Sequence, residues 1–249
     1  MTKVGKKLVI DIGNSRAKLA TFQGSRLLKQ WNWPQWEITD IKALVTNQNP
    51  SFVILSNVAG QKGDEVATCF HKHSFFLTLT AQTPLPIVNH YQTPETLGKD
   101  RLAAVVGAWE LYPGQNSLVV DAGTCITYDL LEADGAYRGG NISPGLQMRL
   151  QAMHEYTANL PLVQMQNIDQ WVGYSTETAI RNGALLGAIL EIQAFSDWRR
   201  QQFDQLNVIL TGGDAVFFAK NWKREIFVHQ KLDLIGLNKI LDYNVAFLE

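Results

Sequence analysis

Leu8-Val-Ile-Asp-Ile-Gly-Asn-Ser15 runs on into Lys18-Leu-Ala-Thr-Phe22, and the same pattern returns later in the chain. The second copy is Leu118-Val-Val-Asp-Ala-Gly-Thr124, followed by Ile126-Thr-Tyr-Asp-Leu130. In both copies an apolar run ends in an Asp, a Gly and a small polar residue, and a second run rich in β-forming residues follows at once. This pattern predicts a strand, a tight turn and an antiparallel strand, with an Asp at the end of each first strand.

The two turns that follow these strands have the composition of a phosphate-binding site. Their Gly residues allow a tight turn and close approach of the backbone to a ligand, and Asn14, Ser15 and Thr124 add hydrogen-bond donors. If the turns face each other, Asp11 and Asp121 provide the oxygen ligands that a metal ion on the phosphates needs. A single Asp-Gly turn is common hairpin punctuation. The duplication, however, indicates two similar half-domains with a small-molecule site between them.

The bulk composition favours a cytoplasmic globular protein. The 249 residues are enough for one large domain or two small ones, and 46% hydrophobic with 18% charged residues is typical of a soluble fold. The formal charge of -1 gives no basic field for nucleic acid, and no apolar run approaches the ~18 residues of a membrane span. Asp11 interrupts the apolar run behind the basic Met1–Lys7 segment too early for a signal peptide. Cys69 and Cys125, the two cysteines, favour a reduced protein over a disulfide scaffold. We therefore expect neither a nucleic acid nor a membrane as a partner.

Strand and helix patterns alternate along the chain, which predicts an α/β fold with mixed sheets. The stretch Pro113-Gly114-Gln115-Asn116 breaks the chain just before the second copy of the repeat. We therefore predict an N-terminal half over residues 1–115 and a C-terminal half over residues 116–249. The longest helical pattern lies in the second half, from Glu177 to Arg199, where apolar residues recur at helical spacing.

Several well-known nucleotide and metal motifs are absent from the sequence. No two glycines are spaced as Gly-x-Gly, Gly98-Lys99 lacks the rest of a P-loop, and His154-Glu155 lacks the second His of a zinc protease helix. What remains is a set of Gly- and Asp-rich turns, whose backbone amides can bind phosphates without net positive charge. Lys18 could add a point charge to such a site. The turns are Asp11–Ser15, Asp121–Thr124, Gly139–Gly145 and Thr211–Ala215.

A further candidate is Gly98-Lys-Asp-Arg101, at the predicted start of a helix. The Asp could simply complement the helix dipole, with the Arg as a surface ion-pair partner. Beside a phosphate clamp, however, these two residues are what a kinase for an alcohol requires. Asp100 would accept the hydroxyl proton and Arg101 would hold an acidic substrate.

Six short motifs, taken in chain order, resemble those of the type III pantothenate kinases. They are Asp11–Lys18, Tyr91 with Gly98–Arg101, Asp121–Thr127, Gly139–Gly145, Thr176 with Ala179-Ile180, and Thr211–Ala215. Each motif is short, but six in order are specific. The resemblance implies the actin-like fold of sugar and acetate kinases, with two ribonuclease-H-like halves and an ATP cleft between them. It agrees with the duplication of the strand and turn.

The resemblance also implies roles for individual residues. The ATP-binding positions are Asp11, Ile12, Gly13, Asn14, Ser15, Arg16, Ala17, Lys18 and Thr124. The pantothenate-contacting positions are Tyr91, Gly98, Lys99, Asp100, Arg101 and Thr176. Asp100 corresponds to the proton acceptor, and Asp11 lies near the Mg²⁺ that accompanies ATP. Asp121 corresponds to a ligand of a monovalent cation, K⁺ or NH₄⁺.

The implied activity is ATP-dependent phosphorylation of pantothenate to 4'-phosphopantothenate, the first step of coenzyme A biosynthesis. The implied assembly is a homodimer whose substrate site is completed across the interface, and Gly183 and Gly187 of the long helix are candidates for that interface. Ser15 stands where the family usually has Thr, and Cys125 replaces an Ala, which we expect to add a buried thiol near the phosphate turn.

Two alternatives remain open from the sequence. One is an actin-like kinase for another small hydroxy acid or sugar. The other is a catalytically inactive, nucleotide-binding homologue with a regulatory or accessory role. Asp100 and Arg101 distinguish them, because a pure binding module need not retain either residue.

Overall fold

A computed structural model of the chain describes residues 5–13, 16–58, 60–70, 75–168 and 170–248. The elements up to residue 114 are β1 (Lys7–Ile12), β2 (Ala17–Gln23), β3 (Arg26–Trp33), α1 (Ile38–Gln48), β4 (Phe52–Asn57), α2 (Gln61–Thr68), β5 (Phe76–Thr78), β6 (Val88–Asn89) and α3 (Lys99–Leu111). They are followed by β7 (Ser117–Ala122), β8 (Cys125–Leu131), β9 (Ala136–Pro144), α4 (Leu146–Glu155), α5 (Thr176–Arg200), β10 (Asn207–Thr211), α6 (Ala215–Lys220), β11 (Phe227–Val228) and α7 (Leu232–Val245).

The first unit is built on the sheet β3-β2-β1-β4-β5, in which β1 is antiparallel to β2 and parallel to β4. Successive strand residues point to opposite faces, so Leu8, Ile10 and Ile12 share one face. They are fully buried in a core that also includes residues of α1. Lys7 and Asp11 therefore face the other side, where α7 lies. Lys7 forms an ion pair with Asp242 of that helix, at 2.6 Å.

Two glycines bring α3 and α7 together backbone to backbone. A Cβ at Gly107 of α3 would collide with the carbonyl of Leu232, and a Cβ at Gly236 of α7 would collide with the carbonyl of Ala103. Because neither position has room for a methyl group, the depth at which α7 sits against α3 is fixed. Both helices begin near the carboxyl ends of β1 and β4, and this brings Asp100 and Asp233 to one region of the unit.

The division of the chain differs from the predicted one in two segments. The first unit ends at Gly114, close to the predicted boundary, but it also contains Asp134–Arg138 and the chain from Lys231 onward. The predicted C-terminal half, 116–249, included that last segment. The apolar side chains of α7 are buried, and they pack with the first unit. Burial of its apolar side chains therefore places α7 in the first unit. No change in composition along the sequence marks this boundary.

The second unit repeats the strand, turn and antiparallel strand as β7 and β8, within the order β11-β10-β7-β8-β9. β10 pairs in parallel with β7, so this sheet is also mixed and the α/β prediction is confirmed. The long helix α5 packs on it through Leu185, Ile189 and Ile192. Among the described residues, no helix is both long and apolar enough to pass through a bilayer.

Candidate active site

The first turn lies between β1 and β2 in the first unit. Asp11 stands directly opposite Lys18 in the antiparallel register, and the Gly13 N–H donates to the carbonyl of Arg16 at 3.0 Å. This bond closes the turn, and β1 and β2 stay paired as far as Ile12 and Ala17 on either side of it. Ile12 and Ala17 are buried in the core on the opposite face, so any contact they make with a nucleotide would come from their backbone.

Asp11 is a buried carboxylate whose hydrogen-bonding capacity is not fully used by its neighbours. It is 5% exposed, and its Oδ1 accepts no hydrogen bond from any described residue. Burial raises the pKa of Asp11 to about 7, and the negative charges of Asp233 and Asp100 add to that rise. The Lys18 ammonium and the neighbouring Ser56 hydroxyl oppose it. A buried acceptor without a partner costs free energy, so this position suits a cation that binds with the ligand.

The residues around Asp11 do not form a complete metal cage. No group of three His, Cys, Asp or Glu side chains that could hold a metal is found in the described ranges. A cation at Asp11 would therefore need oxygens from a ligand and from water. Octahedral Mg²⁺ on a nucleotide has this requirement, because it uses one or two carboxylates together with phosphates. The orphan Oδ1 fits such an ion.

The start of α3 gathers the second group of side chains. Gly98 is the N-cap, and Asp100 Oδ1 accepts a hydrogen bond from the Arg101 N–H at 2.8 Å. Lys99 Nζ donates to the carbonyl of Asn57 at the end of β4, at 3.1 Å. This bond ties the helix start to the sheet edge at which β1 also ends. Asp100 is therefore held near Asp11, as its effect on the Asp11 pKa also indicates.

Arg101 lies beneath an aromatic surface. It is 5% exposed, its guanidinium is 5.5 Å from the centre of the Tyr91 ring, and Tyr91 stacks on Tyr137 with 6.3 Å between ring centres. A guanidinium over an aromatic face is fixed in orientation and keeps its hydrogen-bond donors in one plane. Such a group can hold a carboxylate with two parallel hydrogen bonds.

Glycines from three segments pack together near Asp121 in the second unit. Gly212 follows β10, next to Asp121, with a φ of 90°, and a Cβ there would collide with Asp121 Oδ1 and the carbonyl of Ala122. Gly145 donates its N–H to the Thr124 carbonyl at 3.1 Å, and a Cβ there would collide with the Gly123 carbonyl. The turns predicted at 121–124 and 211–215 therefore lie together. The stretch 139–145, predicted as a turn, is instead the second half of β9, which ends at Pro144 directly before Gly145.

A polar network that the sequence analysis did not identify supports this cluster. The Arg149 guanidinium donates to the Pro144 carbonyl at 2.8 Å and to Ser143 Oγ at 3.0 Å. It also donates to Glu191 Oε2 at 2.6 Å, while the Tyr128 hydroxyl donates to Oε1 at 2.7 Å. Burial alone would raise the pKa of Glu191, but the hydrogen bonds it receives and the Arg149 charge hold it below its usual value. The network holds the Ser143–Gly145 stretch, at the end of β9, in position.

A second unexpected feature is the ion pair between Lys18 and Asp233, which joins β2 to the first turn of α7. The Asp233 side chain is only 5% exposed. The sequence indicates that Asp233 has a partner, because an Asp among apolar residues at a helix start needs one when it is buried. The partner lies 215 residues away in the chain, and spacing could not identify it.

Comparisons with known proteins show the family of the chain. The family model described as type III pantothenate kinase matches residues 7–197. A type III pantothenate kinase from Bacteroides fragilis is 41% identical over 237 residues, covering 95% of this chain and 98% of that protein. This chain belongs to the type III pantothenate kinase family. Membership confirms the resemblance found in the sequence and makes the chain a kinase.

Solved structures confirm the fold of this member of the type III pantothenate kinase family. A Campylobacter jejuni protein assigned to the Baf family of transcriptional activators has a TM-score of 0.64 at 24% identity, covering 95% of this chain and 98% of that one. The ROK hexokinase from Thermus thermophilus has a TM-score of 0.55 at 12% identity, covering 96% and 99%. At such identities the likeness concerns the fold alone, which is that of actin-like ATPases and sugar kinases.

Several predicted site residues lie neither around Asp11 nor at the start of α3. Asn14 and Ser15 lie outside the described residues. Arg16 is exposed beside the turn, and Thr176 is exposed as the first residue of α5 after the N-cap Ser175. Cys125 is only partly buried, which corrects the expectation of a buried thiol, because it begins β8 at the rim of the sheet.

Proposed function

We propose that this chain transfers the γ-phosphoryl group of ATP to the primary hydroxyl of pantothenate, giving 4'-phosphopantothenate, the first committed product on the way to coenzyme A. Family membership supports the reaction class. The observation that carries the site is the buried Asp11, whose Oδ1 has no partner among the described residues, together with Lys18 and Asp100 in the same unit. These are a cation ligand, a phosphate-directed charge and a carboxylate base.

Asp100 is the proposed proton acceptor. The pantothenate hydroxyl oxygen forms a bond to the γ-phosphorus, the bond from that phosphorus to the β–γ bridging oxygen breaks, and the hydroxyl proton passes to the Asp100 carboxylate. A carboxylate is a weak base for an alcohol, but the transition state of phosphoryl transfer is loose and the proton leaves late. Asp100 therefore also orients the hydroxyl, and its bond from the Arg101 N–H fixes the carboxylate for that task.

Asp11 and Lys18 are the proposed residues for the nucleotide phosphates. Mg²⁺ bound with ATP neutralises charge on the phosphate oxygens. Asp11 would hold it through the unpartnered Oδ1, and the Lys18 ammonium would contribute a point charge. The Gly13 turn offers amides to the same phosphates. Thr124 is included as an ATP-binding residue by the family resemblance. We include Asn14, Ser15 and Arg16 in the ATP-binding turn by the family resemblance.

Asp121 is the proposed ligand of a monovalent cation, K⁺ or NH₄⁺. Gly212 packs on the Asp121 carboxylate and on the carbonyl of Ala122, so backbone oxygens lie close to this side chain. Carbonyl and carboxylate oxygens suit a weakly hydrated monovalent ion. Such an ion would offset negative charge where two anionic substrates approach each other.

Arg101 and Tyr91 are proposed to hold the pantothenate carboxylate and its chain, with Gly98 and Lys99 shaping that end of the site. Thr176 joins this set by the family resemblance. We also infer a homodimer in the cytoplasm. Added Cβ atoms at Gly183 and Gly187 of α5 would meet no atom within 4 Å, so a partner helix could approach there.

The direct test is a mass-spectrometric assay of the purified protein with ATP, Mg²⁺, K⁺ and pantothenate. We expect formation of phosphopantothenate together with ADP in equal amounts. A panel of other small hydroxy acids and sugars tests the alternative kinases. If ATP binds but no acceptor is phosphorylated, the chain is an inactive nucleotide-binding homologue and the proposal is wrong.

A further inference from the structure

Two ion pairs fasten α7 to the same face of the first sheet. Lys18 pairs with Asp233 in the first turn of the helix, and Lys7 pairs with Asp242, more than two turns further along, at 2.6 Å. Both lysines project from the sheet face that carries Asp11. Both pairs join a lysine of the sheet to an aspartate of α7 and so hold the helix on the sheet. The Lys18–Asp233 pair lies beside Asp11, the proposed metal ligand, and the Lys7–Asp242 pair does not.

The Lys18–Asp233 pair is the more buried at its carboxylate. The Asp233 side chain is 5% exposed, whereas that of Asp242 is 34% exposed. A buried ion pair adds little net stability, because desolvation of both charges offsets their attraction. Fastening the helix would be achieved as well by apolar contacts, which α7 already makes through Leu232 and Leu234. The buried position of Asp233 therefore calls for a role beyond fastening.

The backbone leaves Asp233 little freedom. Asp233 Oδ1 accepts a hydrogen bond from the Leu234 N–H at 2.8 Å, and Gly236 packs on the carbonyl of Ala103 one turn later. A carboxylate in a first helical turn is also favoured by the helix dipole. Asp233 is consequently a fixed negative charge, and the flexible partner in the pair is the lysine.

Lys18 stands between two carboxylates. It is opposite Asp11 across the β1–β2 register and forms the ion pair with Asp233. Of the two acids, Asp233 engages the ammonium in an ion pair, while Asp11 Oδ1 accepts no hydrogen bond within the part of the chain that the structure describes. If Asp233 were neutral, the ammonium could move toward Asp11, the buried carboxylate opposite it across the strand pair.

We propose that Asp233 is a positioning residue, which holds the Lys18 ammonium so that it can face phosphate without neutralising the Asp11 oxygen that receives the metal. The proposal rests on the proposed function, in which Asp11 and Lys18 serve the metal nucleotide. Asp233 itself touches neither substrate nor metal. It acts through the lysine, as partners behind a metal ligand commonly do.

The test compares Asp233→Asn with Asp242→Asn, which removes the matched charge at the other end of α7. Calorimetric titration with MgADP gives a Kd, and the rate is measured against Mg²⁺ concentration. We expect Asp233→Asn to weaken MgADP binding about tenfold and to raise the Mg²⁺ requirement similarly. The pantothenate KM should stay within about twofold. Asp242→Asn should leave the MgADP Kd and the Mg²⁺ requirement unchanged while lowering Tm.

Two further variants keep the test decisive if Asp233→Asn lowers stability. Asp233→Glu retains the charge and should restore most of the MgADP affinity. In a Lys18→Met background, Asp233→Asn should no longer weaken binding, because the lysine through which it acts is gone. Equal effects of Asp233→Asn and Asp242→Asn, or tighter MgADP binding in Asp233→Asn, would overturn the proposal. Failure of the proposed function itself would be visible separately, as an Asp11→Asn variant whose MgADP affinity is unchanged.

Discussion

The two copies of the strand and turn have the same local geometry and different surroundings. Asp11 ends β1 in a buried, charged environment with Lys18, Asp100 and Asp233 nearby, and burial raises its pKa to about 7. Asp121, the next-to-last residue of β7, is half-buried, and the backbone of Gly212 packs on its carboxylate. The duplicated motif thus determines where a carboxylate stands, and the neighbouring elements determine what that carboxylate can do.

This difference assigns separate chemistry to the two turns. The first turn is flanked by helices whose first turns bring side-chain charges, so it suits a divalent cation and proton transfer. The second turn is flanked by Gly145 and Gly212, whose lack of a Cβ lets their backbone pack directly on its carbonyls. Four predictions test the comparison, from the largest expected effect to the smallest.

Asp100→Asn should reduce kcat by about a hundredfold or more, the usual contribution of a positioned base, while the fold stays intact. The amide keeps the shape of the side chain but cannot accept the hydroxyl proton. Steady-state kinetics measure the effect. Glu110→Gln is the matched control, because Glu110 lies at the other end of α3, where it pairs with Lys239 at 2.7 Å. If Asp100→Asn retains activity within about threefold of wild type, the acid at the start of α3 is not the proton acceptor.

Asp11→Asn should raise the Mg²⁺ requirement about 10- to 100-fold, because one charged ligand is lost. The same change should stabilise the ligand-free protein at alkaline pH. The raised pKa means that the favourable contribution of Asp11 to folding is present at low pH and lost as the pH rises through about 7. We expect a Tm gain of about 2–4 °C at pH 8 and almost none at pH 4. Unchanged Mg²⁺ dependence would make the first turn structural and remove the contrast with the second.

Replacement of K⁺ by a bulky organic cation at constant ionic strength should lower the rate about tenfold if Asp121 holds a monovalent ion. Asp121→Ala should have a low rate that no longer responds to this exchange. Rates are compared at fixed Mg²⁺, so that the first turn remains saturated. A wild-type enzyme that runs equally well in every monovalent salt would show that Asp121 serves only the hydrogen bonding of its own turn.

Glu191→Gln should give the smallest effect, a Tm lowered by about 2–4 °C at pH 7. Since hydrogen bonds and the Arg149 charge hold the pKa of Glu191 below its ordinary value of 4.5, its contribution is present above that pH and disappears as the pH falls further. Thermal unfolding at pH 7 and at pH 3.5 measures the difference. A destabilisation that is equal at both pH values would mean that the charge of Glu191 does not support the second turn.

The sequence was sufficient for the features that depend on local pattern. The apolar runs that end in Asp11 and Asp121 predicted two strands followed by turns, and the Gly98–Arg101 stretch predicted a helix start, as observed. Both depend on nearest neighbours, so a linear pattern contains them. The family resemblance then gave roles to residues that the pattern alone left open, and membership in that family is now shown.

The features that could not be predicted are contacts between distant segments. Lys18–Asp233 and Arg149–Glu191 join elements that are far apart in the chain, and neither pair has a characteristic spacing. The packing of α7 on the first unit could not be predicted for the same reason, because its apolar residues fit many possible surfaces. A single sequence records which residues are apolar or charged, and the fold decides which of them meet.

The membership of α7 in the first unit also affects the order of events during synthesis on the ribosome. β1, β4 and α3 are made first, while the helix that covers their charged face follows only after the whole second unit, from residue 231 onward. Until α7 emerges, Lys18 lacks Asp233, and the backbone at Gly107 is without the Leu232 carbonyl against which it packs. Release of an incomplete chain therefore yields a protein in which one face of the first sheet is uncovered.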